Sequence, residues 1–519
     1  MDIGRSLPNL LVPAALGVFI LAGFVLVYLL GPIYGWLLLI AIIWGSMLIG
    51  RPKILLMFYG VWIVVGMYIQ TIFASVLTLW LDEILATAML IVLFAHHING
   101  RIRLPELRVA KRALLGLLAL VVVSTFANQV PIILAFHFCL QYIRFFLIFY
   151  YAYHFLSEKE LPIFLKTIVI LFLLQVVMNT GWLLGINPLP NWMGGVDYAI
   201  GTGLGANVVA YYCVVILCIL FSYLYYAQTV TKRVLGWVMV LVVAYQLYFT
   251  FTFHADLIAV ACLGLQLFIS PHSVRSKVAW MGRGALLALT ILLVYTFLPA
   301  SGLVKASFSS NYLAHRWRTL LDGPKGQSYI NNFRYLPKDV PLMPYIGSGP
   351  GNAGSMVGRM HRTPLADRYF NWVDLSVARG QLSEGGSISG GPMTGVLTIW
   401  SELGSLGLLL YYGLHLYALI RVSKAVRRNA YSDPAQRILA EAFPPIMTMM
   451  IGLSIIADYL YLAYFTSGLW IWAACVWTPA PAWKALAAKF GESTDANNMP
   501  GVGKDLRQHW RRPLSSSFR

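Results

Sequence analysis

Charged residues are scarce in this chain, and acidic residues are the scarcest. Only 11% of the 519 residues are Asp, Glu, Lys or Arg, and 20 acids face 38 Lys and Arg. Soluble domains carry roughly 25% charged residues, so this composition, with 59% hydrophobic residues, excludes an ordinary soluble protein. It predicts a polytopic membrane protein, because each span of about 20 apolar residues uses chain without forming a separate core.

Cysteine is also rare, and its positions show no pattern of metal ligands. We interpret the cysteines as small hydrophobic residues inside spans, because none of them pairs at a spacing typical of a metal site. The five are Cys139, Cys213, Cys218, Cys262 and Cys475.

The apolar runs predict an all-α polytopic membrane protein with about 12–14 transmembrane helices and one large loop. Residues 1–298 are expected to form a transmembrane bundle of about 11 helices, and residues 299–392 the large loop. Residues 393–485 should form the C-terminal transmembrane helices, and residues 486–519 a polar, disordered tail. The runs lie near residues 9–30, 33–49, 54–76, 82–97, 113–128, 131–155, 161–184, 204–227, 234–250, 254–270, 284–298, 393–420, 441–460 and 463–484.

Basic clusters between the runs predict the orientation of the spans. If residues 1–8 are cytoplasmic, every such cluster falls on the cytoplasmic side, where positive charge is favoured. Both termini are then cytoplasmic, and residues 185–203, 251–256 and 299–392 lie outside. This arrangement also explains the formal net charge of +18, which in a soluble protein would suggest nucleic acid. No nucleic-acid partner is expected.

The large loop is basic and suits an anionic lipid substrate. Its 94 residues carry ten Lys and Arg against five Asp and Glu. Arginine offers a planar fork for bidentate contacts to phosphate and keeps its charge. A diphosphate leaving group needs its developing charge neutralised. Because the loop contains no Asp-x-Asp pair, we expect fixed cations to do this without a metal or a cofactor.

Arg334 is the strongest single candidate for such a cation. It precedes a Pro-rich stretch that leads to Gly347-Ser-Gly-Pro-Gly351. Glycine lets backbone N–H groups approach an oxyanion closely, so we expect Gly347, Gly349 and Gly351 to bind the diphosphate together with a catalytic Arg334. The alternative is an ordinary loop cation followed by plain turns.

Four further arginines are candidate ligands of the diphosphate: Arg144, Arg316, Arg318 and Arg359. Arg316 and Arg318 flank Trp317, a pattern that also fits an anchor at the membrane surface. Arg144 lies inside a predicted span, where a charge is costly and faces the bundle or a cavity. A functional role and a buried structural pair are both open for Arg144.

His254 and His361 are the candidate general bases. His254 stands near Asp256 at the start of a span, and a histidine beside a carboxylate can deprotonate a sugar hydroxyl. The alternative is a pair of polar residues that cap a helix, because residues i and i+2 do not face each other on a helix. His361 lies in the loop, where it is either a base or an ordinary polar residue. Asp458 lies near the outer end of a late span and can orient a substrate.

The order of these parts resembles the superfamily of O-antigen polymerases and O-antigen ligases. Gly201 to Ala210 is similar to the family's Gly-x-x-x-x-x-Asn-x-x-Ala start of a span, with Asn207 as its Asn. Residues 251–260 occupy the place of the family's Ser-Arg-Gly helix start. The resemblance extends over residues 200–410, approximately.

Two further patterns follow in the family's order. Arg334 to Gly351 is similar to its loop pattern of Arg, then Pro, then Gly-x-Gly-x-Gly. Gly395 to Gly407 is similar to the helix that follows, with Glu402 in its Glu-x-Gly-x-x-Gly.

Two departures from the family's pattern narrow the resemblance. Phe253-His254 replaces the Ser-Arg pair, so an expected phosphate-binding arginine is absent. Ligases of the superfamily carry a histidine shortly before the helix Glu, at the place of Met393 here. No histidine lies between His361 and Glu402, and the resemblance therefore favours a polymerase of repeat units over a ligase.

The resemblance implies a metal-independent, inverting glycosyltransferase of type C in the bacterial inner membrane. It would transfer a glycan from undecaprenyl diphosphate onto a lipid-linked repeat unit at the periplasmic face, with Asn207, Asp256, Glu402 and Asp458 supporting the site. Expected partners are the undecaprenyl-diphosphate-linked oligosaccharide, membrane lipids, and a chain-length regulator or export complex. The alternatives are an O-antigen ligase and a transporter or flippase of lipid-linked oligosaccharide; a flippase should show repeats, broken spans and charges midway through the bilayer.

Overall fold

The computed structural model describes residues 51–73, 76–98, 107–156, 160–183, 206–250, 253–282, 324–370, 394–456, 458 and 463–479. Every regular element in these ranges is helical, and they contain no strand. The helices before the large loop are α1 (Pro52–Phe73), α2 (Val76–Ile98), α3 (Arg108–Ala127), α4 (Ile132–Phe155), α5 (Leu161–Leu183), α6 (Ala206–Tyr226), α7 (Val230–Phe249) and α8 (Phe253–Ile269). Those in and after it are α9 (Pro324–Ile330), α10 (Leu336–Asp339), α11 (Met343–Ile346), α12 (Met356–Met360), α13 (Pro364–Phe370), α14 (Gly395–Arg427), α15 (Pro434–Ile456) and α16 (Ala463–Val476).

The chain is an all-α polytopic membrane protein, as its sequence predicts. Among the described residues, eight helices are long and apolar enough to cross a membrane, and three shorter apolar helices accompany them. The spans predicted near residues 9–30, 33–49 and 284–298 lie outside the described residues, as does the tail 486–519. The total of about 12–14 spans therefore stays a prediction.

The long helices are apolar on their outer faces as well as in the core. Phe126 and Ile132 are 70% and 72% exposed. Inside, Phe146 and Phe149 both pack edge to face against Trp470. A soluble bundle would place polar residues on its outer face, whereas in a bilayer such faces contact lipid tails.

The described part of the large loop caps one end of the bundle. Here α11 packs against α3 and α14, and α12 packs against the start of α4. We call this the loop end of the bundle; Asn128 and Thr394 lie there, next to the ends of α3 and α14. The opposite end holds the Lys53–Glu160 ion pair and the C-terminal end of α14.

A kink in α14 receives the loop. Gly404 has a φ of +66°, which interrupts the helix within its first three turns. The amides of Ser348 and Gly349 donate to the carbonyl oxygens of Ser401 and Glu402, at 2.8 and 3.2 Å. In an unbroken helix those carbonyls would accept from amides four residues further on. The kink therefore frees two carbonyl oxygens of the helix, and the amides of the loop take up these hydrogen-bond acceptors.

Candidate functional site

The Glu402 side chain on α14 binds the large loop. Its side chain is fully buried on α14, and its carboxylate accepts three backbone amide hydrogen bonds from the loop. The amide of Asn352 donates to Oε2 at 2.9 Å, and the amides of Ala353 and Ser355 donate to Oε1 at 3.1 and 2.8 Å. A buried carboxylate is stable only with such partners. Glu402 therefore binds the loop and does not face a substrate.

The loop glycines allow two backbones to cross closely. A Cβ atom on Gly347 would lie 2.1 Å from the Glu402 carbonyl oxygen, and one on Gly351 would lie 2.7 Å from the Leu134 carbonyl oxygen. The Gly347 amide donates to Met343, and the Gly349 amide donates to Glu402. These two amides are engaged inside the protein, which differs from the predicted arrangement of glycine amides facing a diphosphate.

A polar cluster lies directly beneath this loop. The Tyr142 hydroxyl on α4 donates to Asp458 Oδ2 at 2.8 Å, and the Thr398 hydroxyl on α14 donates to the same oxygen at 2.9 Å. The Met356 amide of the loop donates to the Tyr142 hydroxyl at 3.3 Å. The loop and the two helices therefore meet at the Asp458 carboxylate, at the loop end of the bundle.

Two histidines adjoin the cluster, one from a span and one from the loop. His137 Nδ1 on α4 lies 3.1 Å from His361 Nε2, and their rings meet edge to face. A hydrogen bond between two imidazole nitrogens needs one donor and one acceptor, so at least one ring is neutral when it forms. Gln141 Nε2 lies 3.5 Å from the other nitrogen of His137. The predicted base His361 is thus held against the bundle. We call Tyr142, Asp458, Thr398, His137 and His361 the loop-end cluster.

Arg359 is a loop cation close in the chain to this cluster, two residues before His361. It lies on α12, half-buried, one turn from Met356, whose sulfur accepts from its Nη2 at 3.7 Å. No ion pair joins it to another described residue. It therefore keeps its charge for an anion that approaches the cluster.

Other loop cations are placed differently. Arg334 is exposed on the outer surface of the loop, with its guanidinium over the Tyr335 ring at 5.6 Å. Arg368 is paired with Asp339, at 2.5 Å. The Tyr369 hydroxyl also donates to the Asp339 carboxylate, and burial together with this hydrogen bond raises the pKa of Tyr369. Arg334 thus lies outside the loop-end cluster, and its predicted catalytic role stays a prediction.

Arg144 is buried among carboxylates inside the spans. Its side chain is 2% exposed, and it contacts Asp82 at 2.7 Å and Glu83 at 3.1 Å, both on α2. The sequence left open whether Arg144 is functional or part of a buried structural pair. The structure shows the buried arrangement, and it contains two acids in place of one. A cation held in this way is not free for a diphosphate, which differs from the predicted ligand role.

Removing this cation tests the structural interpretation. Arg144→Gln should lower the free energy of unfolding by about 3–5 kcal/mol, because two buried carboxylates lose their partner. Thermal unfolding of the purified protein in detergent measures this. Arg144→Met combined with Asp82→Asn and Glu83→Gln removes all the charges and should recover most of the loss. Unchanged stability of Arg144→Gln with lost activity would instead support the ligand role.

The remaining predicted residues are less closely defined. Asp256 is half-buried in the first turn of α8. Asn207 and His254 lie on α6 and α8, but their side chains are outside the described part of the structure, and Arg316 and Arg318 lie outside it altogether.

Sequence reasoning missed His137, Tyr142 and Thr398. His137, Gln141 and Arg144 are spaced four and three residues apart in an apolar run, which marks one polar helix face and was a usable signal.

No group of three or more His, Cys, Asp or Glu side chains that could hold a metal ion occurs among the described residues. Metal-independent chemistry stays a prediction.

Comparison with models of known protein families and with curated proteins found no match. The resemblance to O-antigen polymerases and ligases therefore stays a prediction from the motifs.

Proposed function

We propose that this protein is a polysaccharide polymerase, an inverting type C glycosyltransferase that moves a glycan from undecaprenyl diphosphate onto a lipid-linked repeat unit. One observation carries the proposal: the loop docks on Glu402, its Met356 amide contacts Tyr142, which donates to Asp458, and its His361 contacts His137 on the same helix as Tyr142. The proposal is supported because Arg359, a cation suited to a leaving group, lies on the same docked loop as His361, at the end of the spans where Asp458 lies.

The transfer needs two kinds of group, a proton acceptor and a cation, and the loop-end cluster and the loop arginines offer one each. An acceptor hydroxyl attacks the anomeric carbon on the face opposite the diphosphate, and the bond from that carbon to the diphosphate oxygen breaks. The proton of the hydroxyl passes to Asp458 or His361. Arg359, with Arg334 from the loop surface, neutralises the charge that develops on the departing diphosphate. The prenyl tail of the carrier lies between the spans.

The proposed location is the bacterial inner membrane, with both termini cytoplasmic and the loop end periplasmic. The distribution of Lys and Arg between the spans supports this orientation. The substrate is then an undecaprenyl-diphosphate-linked oligosaccharide, and the product emerges at the periplasmic face. A chain-length regulator or an export complex is the expected protein partner.

Arg359→Gln tests the proposal. It should lower polymer formation by about 10²-fold or more, because a fixed cation that stabilises developing charge is lost. Single repeat units should then accumulate at the periplasmic face, with the amount of protein in the membrane unchanged. Arg362→Gln is the matched control, since Arg362 is an exposed arginine three residues away. Equal polymer in both variants would remove the support from Arg359.

A transporter of lipid-linked oligosaccharide is the second candidate. The observation that favours it is the buried Arg144 with Asp82 and Glu83, because charges inside spans often mark a transport path. The place where glycan accumulates in cells with an inactive variant distinguishes the candidate functions. Loss of a transporter leaves repeat units on the cytoplasmic face, and loss of a ligase leaves finished polymer on the carrier. Loss of a polymerase leaves single units at the periplasmic face.

A further inference from the structure

An apolar cleft opens between α1, α5, α6, α15 and α16, away from the loop-end cluster. Its volume is about 260 Å³. The walls are aliphatic and aromatic side chains, together with two glycines, Gly60 on α1 and Gly468 on α16. Protein interiors are close-packed, and a void of this size between helices costs stability when it stays empty. The cleft therefore suits an apolar occupant.

Among the described residues that line the cleft, Glu160 is the charged one, and it lies at one end. Lys53 Nζ lies 2.5 Å from Glu160 Oε1. The Lys53 side chain is 48% exposed and that of Glu160 is 15% exposed, so the cation is the more accessible partner. Arg51, two residues before Lys53, is also exposed. The described residues at this end of the cleft, which we call its mouth, thus provide two cations and one acid.

This layout matches an anionic amphiphile whose tail points into the bundle. Apolar walls accept an acyl chain, and the cations at the mouth attract a phosphate, with Lys and Arg near an anionic membrane surface each contributing favourably. The mouth lies at the opposite end of the bundle from the loop-end cluster, so a lipid there enters from the other leaflet. The glycosyl carrier would instead place its diphosphate at the loop end.

We propose that the cleft binds one acyl chain of an anionic phospholipid from the leaflet at the opposite end, with its phosphate at Arg51 and Lys53. This site is separate from the proposed transferase site and does not depend on that function. The lipid completes the packing between α1 and α16, and it ties the stability of the bundle to the composition of that leaflet.

Photolabelling tests the proposal directly. The full-length protein is placed in phosphatidylcholine vesicles with a small share of phosphatidylglycerol that carries a diazirine near the end of one acyl chain. Mass spectrometry of the irradiated protein should find label on the α1 and α16 peptides that contain Gly60 and Trp472. Both residues line the cleft.

Filling the cleft should prevent this labelling. A Cβ atom on Gly60 meets no atom within 4 Å, so Gly60→Leu projects into the cleft and also favours the helix. Label on the α16 peptide should fall about tenfold, because a bulky side chain displaces a few methylenes of the lipid. Gly264→Leu is the matched control on a helix face outside the cleft, with equally open space, and should label like the wild type. Gly468→Leu fills the cleft from α16 and should repeat the Gly60→Leu result.

The head group is tested separately. Arg51→Gln and Lys53→Gln should each lower labelling roughly fivefold, while Lys277→Gln, elsewhere at the same end, should not. Undiminished labelling in Gly60→Leu would overturn the site. Equal labelling by the matching phosphatidylcholine probe would overturn the anionic assignment. Displacement of the probe by undecaprenyl phosphate but not by unlabelled phosphatidylglycerol would show that the carrier, and not a phospholipid, occupies the cleft.

Discussion

Asp458→Asn should lower the rate of polymer formation by about 10²-fold or more, the usual contribution of a general base. The carboxylate accepts hydrogen bonds from the Tyr142 and Thr398 hydroxyls on one oxygen. An amide keeps the shape of the side chain but cannot take a proton from an acceptor hydroxyl. The rate is measured with purified protein and a lipid-linked repeat unit, per amount of folded protein.

The matched control for this variant is Asp339→Asn. Asp339 is also a loop-end carboxylate that accepts from a tyrosine, Tyr369, but it lies outside the loop-end cluster. Its replacement should leave the rate unchanged within about twofold, as for a surface ion pair of small net value. A general base must be deprotonated, so the wild-type rate should fall as the pH is lowered, and this fall should vanish from the residual activity of Asp458→Asn. A wild-type rate in Asp458→Asn would assign the proton to His361 instead.

Gly347→Ala should detach the loop and abolish polymer formation. The new Cβ atom would lie 2.1 Å from the backbone of Glu402 at a residue with a φ of +79°. Neither backbone can give way without breaking the hydrogen bonds that fix the loop. We expect a loss of about 10²-fold or more, because displaced groups lose their alignment with the substrate. Limited proteolysis should at the same time cut the loop faster than in the wild type.

Gly413→Ala is the control for this second variant. Gly413 lies on α14 like Glu402, but a Cβ atom there meets nothing within 4 Å. Its replacement should slightly favour the helix and leave polymer formation and proteolysis unchanged. If Gly347→Ala also behaved like the wild type, docking of the loop on α14 would not be required for activity.

The helices were predictable from the sequence because an apolar run of sufficient length has few other solutions in a bilayer. The acids next to Arg144 could also have been predicted from the sequence, because Asp82 and Glu83 begin a predicted span and a buried cation needs such partners. Which charges meet across the bundle depends on helix packing, and spacing along the chain does not give it. For that reason Arg144 was left between two interpretations.

The geometry of the loop-end cluster was harder to predict. Arg359 is one of ten similar loop cations in the sequence, and only the docking of the loop distinguishes it from Arg334. The glycines were predicted as ligands of a diphosphate, whereas in the structure their conformation serves a close crossing of two backbones. That crossing joins residues more than fifty positions apart, and local patterns carry no information on such pairs.

The contact between the loop and the kinked helix constrains how this protein can diverge. Gly347 meets the backbone of Glu402, and Gly404 meets the backbone of Tyr345, so each glycine is required by the path of the other segment. The Glu402 carboxylate accepts from three backbone amides of the loop. The residues that donate these amides are constrained as well, because the Asn352 side chain donates to the Ser348 carbonyl oxygen, the Ser355 hydroxyl caps α12 and Ala353 is fully buried. In descendants of this chain the two glycines and the acid should be retained or lost together, while the exposed residues of the loop drift.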